Sequence, residues 1–231
     1  MHHRNRLLAA LSADEYDRLS QHLTPAGELR VGRVLEPRHE PTSWVYFPWD
    51  GVCSLTTVML DGSVVEVGTI GNEGMVGMSA YFGTHIEDLE TVVQVPGSGA
   101  SGMRVGAFLA EMERRGMLYE LVRRYSQALL GFMMRSVACN ALHDVNARGA
   151  RWLLMTHDRV AGDTFELTQQ YLASMLGVRR STVTVVAREL QRRRLISYSR
   201  GRISILDRRG LERTACECYR VVRDYFDRLV P

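Results

Sequence analysis

A chain of 231 residues, 45% hydrophobic and 24% charged, has the make-up of a globular protein of one large or two ordinary domains. No apolar run reaches the roughly 20 residues of a membrane helix, and Met1-His-His-Arg-Asn-Arg holds no signal-peptide core, so a cytoplasmic protein is expected. The net charge of +3 conceals a division: residues 1–146 carry 12 Arg against 17 acids, residues 147–231 carry 17 Arg against 9, and only the rear is suited to a polyanion.

Residues 7–23 form an amphipathic helical pattern, expected to pack on the outside of a strand-rich region. Runs at 44–47, 51–60, 63–68 and 91–95 are rich in Val, Thr and aromatics and are separated by Gly and Pro, the pattern of short strands. Asp61-Gly62 between two of them is a two-residue hairpin signal. Together these strands predict a β-barrel, with Pro37, Pro41 and Pro48 in its loops. The Gly-rich segment 68–83, with Gly71, Gly74 and Gly77, predicts a place where backbone approaches another part of the molecule closely.

A long helix is expected over about 116–146. Leu118, Val122, Tyr125, Leu129, Phe132, Ser136 and Cys139 step by alternating fours and threes, the seam of a coiled coil. One reading makes this a parallel two-fold dimer helix, with Gly131 and Ala138 letting two backbones approach. The other buries the seam against the chain's own barrel. Residues 144–157 then supply a hinge and a further helix, whose Trp152, Leu153 and Met155 are core candidates.

Residues 167–206 carry the sharpest pattern. Thr168 can cap a first helix, with Gln169 and Gln170 at its start. Ala173 is small enough for a second helix to cross, Gly177 can take the left-handed turn, and Val183, Val186 and Leu190 form the buried face of that second helix. Arg180, Thr184 and Arg188 fall four apart on the opposite face, with Arg179, Ser181 and Thr182 beside them. These are the donor-bearing side chains that read base edges, Arg above all. Arg192, Arg193 and Arg194 close the helix, where cations suit its dipole. A hairpin follows at 196–205, its tip bearing Arg200 and Arg202 within reach of backbone phosphates. The whole is a winged helix-turn-helix. Beyond it, 211–229 is helical, with Val222, Tyr225 and Leu229 on one side, and either pads this domain or touches a partner.

The order of barrel, long helix, hinge and winged helix-turn-helix resembles the Crp/Fnr family of bacterial transcription regulators over most of the chain. The likeness is strongest in Leu167-Thr-Gln-Gln-Tyr-Leu-Ala-Ser-Met-Leu-Gly-Val-Arg-Arg-Ser-Thr-Val and Glu189-Leu-Gln-Arg-Arg-Arg-Leu-Ile-Ser, and weaker in Val45-Tyr46-Phe47 and the Gly74–Gly77 turn. It implies an α+β protein: a jelly-roll barrel like the cyclic-nucleotide-binding domain at 1–115, a dimerisation helix and hinge at 116–146, and a DNA-binding domain at 147–231. It further implies a homodimer on a palindromic operator in double-stranded DNA, and leaves RNA polymerase open as a further partner.

The departures bear on mechanism. Family members that bind cyclic nucleotides carry a Glu just after a turn glycine and an Arg-Ser/Thr pair for the phosphate. Here Met78 follows Gly77, and Glu90 and Thr91 stand where that pair belongs, with no Arg or Lys between Arg38 and Arg104. A carboxylate opposes phosphate, so tight binding of cyclic AMP or cyclic GMP is not expected. The pocket reads as degenerate, leaving as alternatives an unidentified effector among apolar residues such as Met75 and Met78, or a redox response through Cys139 on the seam. No Cys precedes Cys53, which opposes the family's iron–sulfur centre, and His85 is the single His between His39 and His143, too little for haem. Ser181 and Val185 replace a Glu and an Arg common on the family's recognition helix. Cys216-x-Cys218 is too sparse for zinc without further ligands nearby. Neither metal nor cofactor is therefore expected. No catalytic set stands out, and Gly71-Asn-Glu-Gly74 lacks the Lys of a phosphate loop, so an enzyme is not expected.

Overall fold

The computed structural model describes residues 4–83 and 88–230, so His85 lies outside the described residues. Among the described residues, no helix is long and apolar enough to cross a membrane. The N-terminal pattern divides into α1 (Arg6–Ala9) and α2 (Ala13–Ser20), because Asn5 and Ser12 each cap a new helix through their side chains. Leu7, Leu8 and Leu19 are buried while Ala13, Asp14, Asp17 and Ser20 are exposed, so the segment lays one face on the core from its outside.

Seven strands follow, interrupted by α3 (Met78–Phe82): β1 (Thr24–Pro25), β2 (Val34–Glu36), β3 (Trp44–Pro48), β4 (Val52–Val58), β5 (Val64–Ile70), β6 (Glu90–Val95) and β7 (Ala100–Arg104). They form two antiparallel sheets, ordered β1-β7-β3 and β2-β6-β4-β5. The expected jelly-roll barrel is thus built of two packed sheets. The β4–β5 turn contains Asp61-Gly62 as expected, but Met59 and Ser63 close a three-residue loop, with Gly62 at φ +82°.

After α4 (Val105–Glu113) comes α5 (Met117–Leu142), 26 residues and about 39 Å long. Its first turn has a tertiary cap: the Glu15 carboxylate accepts from Met117 N at 3.1 Å and Leu118 N at 3.2 Å. Gly116 leaves room for it, since a Cβ there would sit 2.3 Å from Glu15 Oε1.

All seven residues of the predicted dimer seam, from Leu118 to Cys139, are buried within the chain itself. Burial within the chain agrees with the second reading, but the C-terminal helix, and not the barrel alone, covers the stripe. Helix α6 (Val145–His157) is followed by β8 (Thr164–Glu166), α7 (Gln169–Leu176), α8 (Arg180–Arg192), β9 (Ile196–Ser199), β10 (Arg202–Ile205) and α9 (Arg208–Thr214), and then α10 (Cys218–Leu229) runs back along α5. Phe226 meets the rings of Tyr125 and Phe132 at centroid distances of 6.4 and 6.3 Å. Gly131 gives space to Tyr225, whose ring would lie 3.3 Å from an added Cβ, and not to a second α5. The exposed apolar residues of α5 are others: Leu130, Met134, Val137 and Leu142.

The Gly-rich loop meets two neighbours. An added Cβ at Gly74 would sit 2.4 Å from the Tyr125 ring, and one at Gly71 would sit 2.5 Å from the Arg159 side chain. Arg159, just past α6, forms a bidentate pair with Glu73, Nη2–Oε1 2.7 Å and Nε–Oε2 3.0 Å, and donates to Thr69 Oγ1 at 2.9 Å. Both side chains are buried. This pair ties the jelly roll to the C-terminal half, where α7 also rests against β5.

Candidate nucleic-acid interface

Helices α7 and α8 form the helix-turn-helix. Thr168 Oγ1 accepts from Tyr171 N at 3.2 Å, capping α7, and Gly177 ends it at φ +61°. Val183, Val186, Ala187 and Leu190 are buried on the inner face of α8. At Gly149, a Cβ would lie 2.9 Å from Val186, so glycine lets α6 and α8 cross closely.

The outer face presents Arg179, Arg180, Ser181 and Arg188 to solvent, with Thr182 and Thr184 half-buried among them. Val185, at 63% exposure, is the apolar member of that face. Arg180 Nε donates to Gln169 Oε1 at 3.1 Å, which ties the two helices together and leaves the outer guanidinium nitrogens to be aimed. Thr184 Oγ1 donates to the Arg180 carbonyl at 3.3 Å. In the Arg run, Arg192 is paired with Glu189 at 2.8 Å, while Arg193 and Arg194 are exposed.

The wing is a three-stranded sheet, β8-β10-β9. Its tip is a two-residue turn with both φ angles positive, Arg200 at +50° and Gly201 at +76°, the sign pattern of a type I′ hairpin. Arg in that first position departs from the usual Asn or Gly and holds a guanidinium at the extreme of the wing. Tyr198 OH braces the wing by donating to the Leu167 carbonyl at 3.1 Å. Thr168, Gln169, Arg180 and Arg200 line one cleft of 440 Å³, with Gln170 exposed nearby. Arg202 stands apart, paired with Glu166 at 3.6 Å on the strand beside it.

The sensor-like pocket is a cavity of 410 Å³ between the sheet and α5, lined mainly by apolar residues such as Leu55, Ile70, Met78 and Met133. Gly77, at φ +96°, opens α3 beneath it. Glu90 begins β6, and Thr91 beside it is buried. Met75 is wholly buried and does not line this cavity. The polar end belongs to Glu36, which no pattern in the sequence singles out. Its buried carboxylate accepts from Ser79 at 2.7 Å, Thr42 at 2.9 Å and Thr91 at 3.4 Å. Those hydroxyls are scattered over 50 residues of sequence, so no local spacing reveals the carboxylate they surround.

At the far end of α5, Cys139 is buried against its own chain, with its Sγ 3.5 Å from Cys216 Sγ. Its twin in a dimer cannot reach it along the expected seam. The Cys139 thiol is pushed down by its hydrogen bond with Cys216 and by the nearby Arg151 and His143, against burial, whereas the Cys216 thiol is pushed up by the same bond and Cys218 by burial. Burial likewise pushes the isolated Cys53 up to about 12.

Residues 147–214 match the family model of the Crp-like helix-turn-helix domain. No curated protein matches the chain by sequence. Among solved structures, a CRP-family transcriptional regulator from Thermus thermophilus is 20% identical, with 81% of this chain and 95% of that one covered at a TM-score of 0.66. A putative Crp/Fnr-family regulator from Eubacterium rectale is 16% identical, with 91% and 98% covered and a TM-score of 0.67. The c-di-GMP-responsive global regulator CLP of Xanthomonas campestris is 16% identical, with 84% and 99% covered and a TM-score of 0.64. At such identities these likenesses carry the fold, and the family model speaks for residues 147–214. Residues 147–214 thus form a Crp-like helix-turn-helix domain, and the jelly-roll, long-helix architecture ahead of it has the fold of the solved Crp/Fnr-family regulators.

Proposed function

We propose that the protein is a homodimeric, sequence-specific DNA-binding transcription regulator, not an enzyme, and that it is not governed by cyclic AMP or cyclic GMP. The observation that carries the reading is the outer face of α8 and its wing: Arg180, Ser181, Thr184, Val185 and Arg188 on one helical face, with Arg200 at the adjoining hairpin tip. Arg180 would read a guanine bidentately, Val185 would meet a thymine methyl, and Arg200 and Arg202 would hold phosphates. The division into a sensor-like unit to 115, a dimer helix and hinge to 146 and a DNA-binding unit beyond belongs to this proposal.

A selection of random duplexes with purified protein is expected to yield a palindrome with half-sites about one turn apart. Arg180→Ala should then relax preference at one base pair by roughly 1–3 kcal/mol. Arg202→Ala should weaken binding evenly across sequences and lower the salt slope by about 1. An unchanged motif and affinity in Arg180→Ala would remove that residue from the reading set.

Homodimerisation rests on the outward face of α5, where Leu130, Met134 and Val137 are exposed at coiled-coil steps on the side away from the buried stripe. A second copy of the same helix is the partner such self-repeating spacing fits. Against cyclic nucleotides stands the charge at the pocket, where Glu36 meets a ligand that needs a cation for its phosphate. Calorimetry should show no micromolar affinity for cyclic AMP or cyclic GMP, and such affinity would overturn this part of the reading. The apolar cavity beside Met78 supports the alternative of an apolar effector.

A further inference from the structure

Four metal-ligating side chains that lie far apart in sequence meet where α5 ends and α10 begins. Cys139 is on the last turns of α5, His143 caps that helix one turn later, and Cys216 and Cys218 flank the break between α9 and α10. One ligand atom from each lies within 4.8 Å of all the others. Cys139 Sγ and Cys216 Sγ are 3.5 Å apart, and Cys218 Sγ and His143 Nδ1 are 3.7 Å apart.

Those separations have a chemical meaning. A disulfide needs its sulfurs at about 2.05 Å. In a tetrahedron of zinc–sulfur bonds near 2.3 Å and zinc–nitrogen bonds near 2.0–2.1 Å, ligand atoms stand about 3.5–3.8 Å apart. The Cys139–Cys216 and Cys218–His143 edges are of that length, and the remaining edges lie within 4.8 Å. The three cysteines are buried with Ala147 packed against them, while His143 forms the more open side.

The surroundings complete the case. The second ring nitrogen of His143, Nε2, lies 3.1 Å from the Glu217 carboxylate, the arrangement that orients a ligating imidazole and fixes its tautomer. Three thiolates, a neutral imidazole and a divalent ion leave one net negative charge. The buried Arg151 guanidinium acts electrostatically on Cys139, donates to Ser136 Oγ at 2.9 Å, and has no ion pair with a carboxylate among the described residues. Its charge answers the excess.

We propose that Cys139, His143, Cys216 and Cys218 form a closed Cys3His site for a tetrahedral, thiophilic divalent cation, zinc above all, which clamps the C-terminal helix to the hinge between α5 and α6. The cysteines bind as thiolates, so uptake releases protons and weakens in acid. Because the site spans the junction between the long helix and the helix-turn-helix unit, occupancy fixes the angle at which that unit is held.

The test uses the full-length chain, reduced and stripped with a chelator, then supplied with zinc or cobalt(II). One zinc per chain is expected after desalting. Cobalt should give the visible ligand-field absorption of a tetrahedral ion together with thiolate charge-transfer bands. Zinc should shield Cys139, Cys216 and Cys218 from alkylation, read by peptide mass spectrometry. Cys218→Ser and His143→Gln should lose stoichiometric uptake. Glu217→Gln changes an exposed side chain and leaves folding out of the question, and its zinc affinity should fall by about 10–100-fold. Failure of the reduced wild-type chain to take up zinc, or uptake equal to wild type in His143→Gln, would overturn the site. So would a Cys139–Cys216 disulfide in a protein that binds no metal once reduced. None of these readouts depends on DNA binding.

Discussion

Met134→Asp and Val137→Asp should turn the protein into a folded monomer and lower its affinity for a palindromic operator by about 10²–10⁴-fold. That factor is the local concentration gained when two half-site contacts are joined in one molecule. The two side chains are 63% and 72% exposed and one helical turn apart, so aspartate costs little in the single chain. In a coiled seam, like charges would face each other across a dry interface. Sedimentation and titration of one operator duplex, in parallel, check this. A wild-type chain that is already monomeric, or variants that stay dimeric and bind as before, would move the partner surface elsewhere.

Glu73→Ala should destabilise the protein by about 3–5 kcal/mol, because Arg159 is then a buried cation without its carboxylate. Replacing both at once, Glu73→Gln with Arg159→Met, should recover much of that loss, since the cost lies in the orphaned charge rather than in the absent attraction. Burial alone would raise the Glu73 carboxyl, but the Arg159 guanidinium overrides it and holds it below the ordinary carboxylate value. A lowered carboxyl contributes stability that is present above the unfolded value and is lost as pH falls through the folded one. The gap between wild type and Glu73→Ala should therefore narrow in acid. Denaturant melts at neutral and acid pH measure it, and a loss below about 1 kcal/mol at neutral pH would show that the pair is solvated.

Much of the architecture was legible from local pattern. The strands at 44–47 and 91–95, the cap at Thr168, the turn at Gly177 and the buried face of α8 all follow from spacing and residue type. The Gly-rich loop was legible as a place of close approach, although not what approaches it: Tyr125 is 51 residues beyond Gly74, and Arg159 is 88 beyond Gly71. The α5 stripe was legible as apolar at coiled-coil spacing. Its partner was not, because periodicity states that a face is buried and is silent on what buries it.

The same distinction separates the two candidate sites. The interface on α8 lies within one supersecondary unit, where helical geometry turns residue spacing directly into a shared face, so Arg180, Thr184 and Arg188 could be placed from sequence alone. The cysteine cluster could not. Cys139 and His143 share a helix end and Cys216 and Cys218 a helix start, but each pair holds half of a tetrahedron, and only the return of α10 along α5 joins them. Likewise Glu36 collects its hydroxyls from three separate segments through the pairing of β2 with β6. The sequence by itself determined the elements, the polarity of the two halves and the DNA-reading face, all of which depend on neighbours within a few turns or strands. Tertiary structure alone decided which surface of α5 stays free, which charges are buried together and where the thiols converge, because those depend on contacts between segments that the chain brings together only on folding.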